Sequence, residues 1–169
     1  MIARHQLPSP RVEAGRAIAL SGLATAMIDV SDGLAGDLGH LVVDNGLGGV
    51  VDLAYVPLSP ALRAAAAASG RDPLSWALYG GEDYELLLTA PTHRVDALTR
   101  AVEATGVSLT AIGEVTAEPG LWLRHPDGQR TPLAPAAWQH FRSTDRTVAR
   151  APAPPGPARE ERQGEEGWP

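Results

Sequence analysis

The stretch AMIDVSDGLAGDLGHLVVDNG, residues 26–46, decides how the rest of the chain is read. It runs apolar into Asp29, Ser31 and Asp32. It then spaces Leu34, Leu38, Leu41 and Val42 at i, i+4, i+7 and i+8, one face of a helix that Asn45-Gly46 stops. The apolar lead-in, bounded by Gly22 and Asp32, suits a buried strand, so the order is strand, turn, helix. Two carboxylates and a hydroxyl at that turn admit two readings. In the first, Ser31 or Asp32 caps the helix, where acids stabilise by roughly 0.3–1 kcal/mol. In the second, alternation sends Asp29 and Ser31 to one side of the strand while the turn brings Asp32 to the helix start. That gathers the hard oxygens Mg²⁺ takes, with substrate phosphates completing its shell and helix N–H groups facing the anion. An acid inside an apolar strand needs a partner, so Asp29 weighs toward the second reading without closing the first.

Outward from this stretch, LPSPRVEAGRAIAL predicts an extended entry and a short helix over 12–20. GGVVDLAYV (48–56) reads as a strand. SPALRAAAAASG (59–70) reads as a helix with Ser59 as N-cap, Pro60 at its first position and Gly70 past its end. YELLLTA (84–90) is a strand behind the Gly80-Gly81 pair. THRVDALTRAVEATG (92–106) is a helix with Val95, Leu98 and Val102 on one face, Thr92 in front and Gly106 behind. VSLTAIGEV (107–115) is a further strand, and LWLRHPDGQRTPL (121–133) a hairpin about Pro126-Asp127-Gly128. Strands alternating with helices and closed by a hairpin predict an α+β fold, one mixed β-sheet with helices packed against it.

Composition bounds the chemistry. The 169 residues, 44% apolar, suit one domain over 1–146 and a tail over 147–169. From Ala151 onward that tail holds five Pro, four Glu and two Arg, a composition expected to stay disordered. The net charge of −6 is opposite to a nucleic-acid footprint, so no nucleic-acid partner is expected. With no cysteine, disulfides, thiolate metal sites and cysteine nucleophiles are excluded. All 14 basic residues are Arg, which excludes a GxxxxGK[ST] phosphate loop and lysine catalysis. Phosphate chemistry would have to run on metal, Arg and backbone amides. No apolar run reaches membrane length and MIARHQLPSPRVEAG lacks a signal core, so the expectation is a cytoplasmic protein without membrane contact.

Two more constellations carry chemistry. In YGGEDYELLLT (79–89), Gly80 and Gly81 permit close backbone approach or positive φ, and Glu82, Asp83 and Glu85 follow, as a solvated turn or a grip on a cationic substrate. In APAAWQHF (134–141), Trp138 and Phe141 anchor the fold, or Trp138 stacks on a flat heterocycle; surface is the default for His140.

Taken in order, SPRVEAG, AMIDVSDGLAGDLGHL, LYGGEDYELLLT, IGEV and WQHF resemble the C-terminal half of the thiamine-monophosphate kinase family, in the superfamily of aminoimidazole ribonucleotide synthetase. The resemblance covers about residues 4–142. It implies the C-terminal domain fold of that superfamily and phosphorylation of thiamine monophosphate, with ATP as co-substrate and Mg²⁺ as cofactor. Residue by residue it implies Asp29 and Asp32 as magnesium ligands and Ser31 as a contact to the nucleotide phosphates. Glu82 matches the acid facing thiamine and Trp138 the aromatic residue packed against it. No residue is assigned as general base, because a phosphate-monoester oxygen is already ionised near neutrality. At the closing motif the chain has Ala137 and Gln139 where the family usually has Gly and Asp. Family members carry an N-terminal domain with its own nucleotide motifs and form homodimers largely through it. The expectation here is a C-terminal half lacking that domain, with little or no activity alone and a separately encoded N-terminal domain as a candidate partner. A noncatalytic thiamine-phosphate or nucleotide-binding module, another ATP-dependent enzyme of the superfamily, and a decayed fragment stay open as alternatives.

Overall fold

The structure, a computed structural model, describes residues 6–134; Trp138, His140, Phe141 and the tail over 147–169 lie outside the described residues. Helix α1 (Val12–Ser21) closes on Gly22 in the left-handed region. Strand β1 (Ala26–Val30) leads to α2 (Leu34–Val42), and β2 (Gly48–Asp52) follows a short 3-10 turn. Helix α3 (Pro60–Ser69) begins as its sequence dictates: the Ser59 hydroxyl accepts from the Leu62 N–H at 3.1 Å, Pro60 opens the first turn and Gly70 closes the last. Helix α4 (Pro73–Tyr79) is capped the same way, the Asp72 carboxylate accepting from the Leu74 and Ser75 N–H groups. Strand β3 (Glu85–Thr89) and α5 (Val95–Glu103) come next, then β4 (Gly113–Thr116), β5 (Gly120–Arg124) and β6 (Arg130–Pro132).

The α+β class holds, but the strands divide between two sheets. Antiparallel β1 and β3 form a two-stranded ribbon; the other four form a mixed sheet in the order β4-β2-β5-β6, with β2 and β5 parallel. Alternation along β3 joins the two cores. Leu87 packs with Val30, Leu34, Leu38, Val51, Leu78 and Leu121, whereas Leu86 and Leu88 face Ala14, Ile18, Leu98 and Val102 of α1 and α5. Each apolar side chain so buried contributes about 1.5–3 kcal/mol, so β3 cannot slip by one residue without exchanging its two faces.

Several boundaries differ from the sequence pattern. The second strand stops at Asp52 because a turn follows, with the Tyr55 N–H donating to the Asp52 carbonyl. Of the expected 107–115 strand only Gly113–Val115 pairs, and the strand runs on to Thr116, since β2 offers four partners on that side. Thr92 opens a 3-10 turn, and α5 starts one turn later with no side-chain cap. Helix α4 went unforeseen, although Asp72-Pro73 is a cap followed by a first-turn proline. Strand β1 is only half buried: Val30 is buried, while Ala26, Met27 and Asp29 are exposed.

Candidate functional site

The site is built where β1 and β3 end together. Val30 pairs with Glu85, and beyond them the backbone keeps bonding: the Tyr84 N–H donates to the Val30 carbonyl at 2.8 Å and the Glu82 N–H to the Ser31 carbonyl at 2.7 Å. The DVSDG and GGEDY motifs, 51 residues apart in sequence, are therefore adjacent loops. Arg11 clamps the second from behind, its guanidinium giving two 2.8 Å hydrogen bonds to the Glu85 carboxylate. That hydrogen bonding, then the carboxylate's charge, raises the Arg11 pKa against the cost of burial.

Both loops have unusual backbones. Among the described residues, Glu82 (φ 68°) and Tyr84 (φ 52°) are the non-glycine residues in the left-handed region, a conformation that costs on the order of 1–3 kcal/mol and concentrates at functional sites. Gly33 has φ 106°, and a Cβ there would lie 3.0 Å from the Gly80 carbonyl oxygen and 3.2 Å from the Tyr79 carbonyl carbon. The start of α2 thus rests directly on the end of α4, which only glycine permits. On the far side of that contact, an open groove along α4 is lined by Arg71, Asp72, Trp76 and Tyr79 and ends at Gly81, next to Glu82.

The N-cap of α2 is Gly33, with no side-chain hydrogen bond, so neither Ser31 nor Asp32 caps the helix. Alternation also stops short of Ser31, because β1 ends at Val30. Asp29 does alternate with Ile28 and Val30, which places it on the ribbon face opposite the main core. Asp29 is exposed, and Ser31 and Asp32 are half-buried. Glu82, also half-buried, stands beside them through its bond to Ser31. Trp138 lies outside the described residues.

Among the described residues, no three acidic or histidine side chains gather closely enough to hold a metal by themselves. Neither the Asp29 nor the Asp32 carboxylate takes part in a hydrogen bond or ion pair within the described residues. Two such carboxylates and a hydroxyl fit Mg²⁺, which keeps water and substrate phosphate in most of its positions. The same set would be a poor cage for Zn²⁺, which prefers His and Cys.

Sequence reasoning missed Asp37. It is the one polar side chain buried among the described residues, 3% exposed, and its Oδ2 accepts from the backbone N–H groups of Ser31 (3.0 Å) and Asp32 (3.1 Å). The signal was available: Asp37 sits three residues after Leu34 and one before Leu38, on the helical face that was expected to be apolar.

These two stitched loops on a mixed α+β scaffold define a class of domain. The chain belongs to the family AIR synthase related protein, C-terminal domain, which it matches over residues 2–125. Within that class it is similar to thiamine-monophosphate kinase of Escherichia coli (strain K12), 43% identical over 142 residues that make up 83% of this chain and 42% of that protein. The solved structure of AaThiL complexed with AMPPCP and TMP has a TM-score of 0.66 and 32% identity, covering 83% of this chain and 40% of that one. Thiamine-monophosphate kinase from Stenotrophomonas maltophilia K279a has a TM-score of 0.61 and 40% identity, covering 72% and 36%. The chain spans about two fifths of the length of the curated relatives it matches first. No helix of the described residues is long and apolar enough to cross a membrane.

Proposed function

We propose that this chain supplies the C-terminal, metal- and thiamine-facing part of a cytoplasmic ATP-dependent thiamine-monophosphate kinase. A phosphate oxygen of thiamine monophosphate bonds to the γ-phosphorus of ATP, the bond from that phosphorus to its bridging oxygen breaks, and ADP leaves with thiamine diphosphate formed. Asp29 and Asp32 would hold Mg²⁺, and Ser31 would donate its hydroxyl to the nucleotide phosphates. When bound, Mg²⁺ neutralises phosphate charge in a reaction that is mostly positioning, so the absence of Lys is no obstacle. The uncapped N-terminus of α2 offers N–H groups to the same anion. Glu82 would face the cationic thiazolium ring, with Trp138 packed against it.

The observation that carries this reading is the pairing of loops. The Glu82-to-Ser31 backbone bond holds the turn that carries Ser31 and Asp32 beside Glu82, with Asp29 on the adjoining end of β1, opposite Leu86. The relatives support it with the substrates, since AaThiL has been solved with AMPPCP and TMP. The remaining length of such an enzyme would supply most nucleotide contacts and the homodimer interface, so little turnover is expected of this chain alone. Calorimetry tests the assignment: thiamine monophosphate and MgATP are titrated separately into the chain. Binding should be lost for the first in Glu82→Ala and for the second in Asp32→Asn. Binding indifferent to both substitutions would overturn it.

A further inference from the structure

We infer that Asp37 is a positioning residue for the metal-facing loop, an inference that rests on the proposed magnesium reading. Gly33 gives α2 no side chain with which to organise the residues before it, and Asp37 fills that role from inside the helix. It lies in the first turn, its own N–H donating to the Gly33 carbonyl at 3.0 Å, and its side chain points back toward the N-terminus. From there one oxygen takes both the Ser31 and the Asp32 N–H, at 3.0 and 3.1 Å. Those two backbone groups belong to residues assigned to the phosphates and the metal. Holding both amides on one buried oxygen fixes the peptide plane between them, and so the direction in which the Ser31 hydroxyl and the Asp32 carboxylate leave the backbone.

Burial makes this hold rigid. At 3% exposure Asp37 does not exchange its partners for water, and Leu34, Ala35 and Leu38 pack around it in the same helix. On the other side, the Ser31 carbonyl takes the Glu82 N–H at 2.7 Å, so the Ser31 peptide groups are gripped from both faces. Asp37 thus positions Asp32 and Ser31 and, through Ser31, the thiamine-facing loop together. Its Oδ2 is committed to the two backbone N–H groups.

Two variants and two readouts test this on the full chain. Asp37→Leu removes the acceptor at similar volume; Asp37→Asn keeps an oxygen that can accept both N–H groups and removes the charge. Hydrogen exchange is followed at the Ser31 and Asp32 amides and at Leu121 in the sheet, and Mn²⁺ is titrated by water-proton relaxation. In Asp37→Leu, exchange at Ser31 and Asp32 should rise about tenfold or more with Leu121 unchanged. Mn²⁺ affinity should fall about 10- to 100-fold, the usual effect of losing a group that orients a ligand. Asp37→Asn should restore both to within about threefold. Unchanged loop exchange in Asp37→Leu would overturn the inference. So would Asp37→Asn that keeps the amides protected yet loses Mn²⁺ affinity as severely, since charge and not position would then be at work. If Asp37→Leu does not fold, the Asp37→Asn result decides alone. Absence of Mn²⁺ binding by the unaltered chain would sink the magnesium reading, and the exchange data would still show whether Asp37 holds the loop.

Discussion

The backbone N–H of Glu82 donates to the carbonyl of Ser31 at 2.7 Å, and this bond brings together two motifs 51 residues apart. Everything near it is arranged to keep the two loops in contact. Arg11 holds Glu85, Gly33 rests on Gly80, and Asp37 holds the Ser31 and Asp32 amides.

Gly33→Ala should be severe. A Cβ there meets the Gly80 carbonyl oxygen at 3.0 Å and must also adopt φ 106°, so backbone strain and overpacking add to about 2–4 kcal/mol. Urea denaturation measures it; a loss under about 0.5 kcal/mol would mean that α2 and α4 do not touch as described.

At Glu82 the backbone and the side chain can be separated. With φ at 68°, Glu82→Gly should be more stable than Glu82→Ala by about 1 kcal/mol, because only glycine enters the left-handed region freely. Both variants should lose thiamine monophosphate equally. Equal stabilities in parallel denaturation curves would remove the claim of strain at this position.

Arg11→Ala should cost about 1 kcal/mol, at the upper end for a partly exposed pair because the geometry is bidentate. The same substitution in a Glu85→Gln background should cost measurably less. Additivity in that double-mutant cycle would show that the pair is not coupled.

His40 gives a pH-dependent reporter that feels the charge of Asp32, the proposed metal ligand. Its hydrogen bond to Asp44, with further attraction from Asp44, Asp37 and Asp32, raises its pKa despite the cost of desolvation. The sign follows from linkage: the stabilisation is fully present below the unfolded-state value of about 6.5 and is lost as pH rises through the raised folded value. Both side chains are mostly exposed, so the effect is a few tenths of a kcal/mol. NMR titration should show the His40 pKa falling in Asp44→Asn, and falling again in the native chain when Mg²⁺ neutralises Asp32. A His40 titration unmoved by saturating Mg²⁺ would argue against metal at Asp32.

What the sequence disclosed was what local pattern encodes. The Leu34, Leu38 and Val42 periodicity, the Ser59-Pro60 helix start and the Pro126-Asp127-Gly128 hairpin each depend on neighbours within one or two turns, and each formed as read. The division of strands into two sheets was not legible, because it depends on β3 pairing with β1 and on its Leu86, Leu87 and Leu88 serving two cores. The DVSDG and GGEDY motifs were legible as local patterns while their adjacency was not. Helix capping by Ser31 or Asp32 was the natural local inference, and it failed because the helix begins at Leu34 with Gly33 in the N-cap position, which leaves both residues ahead of the cap. An acid on an apolar helical face was the clue to the hold of Asp37 on both amides.

The most direct test is a chimera in which the 142 residues of the Escherichia coli thiamine-monophosphate kinase matched by this chain are replaced by their counterparts here. The predicted result is MgATP-dependent formation of thiamine diphosphate, falling by about 10²-fold or more when Asp32→Asn is introduced. A chimera that folds and binds both substrates without turnover, or one whose turnover ignores Asp32→Asn, would contradict the assignment of these loops to phosphoryl transfer.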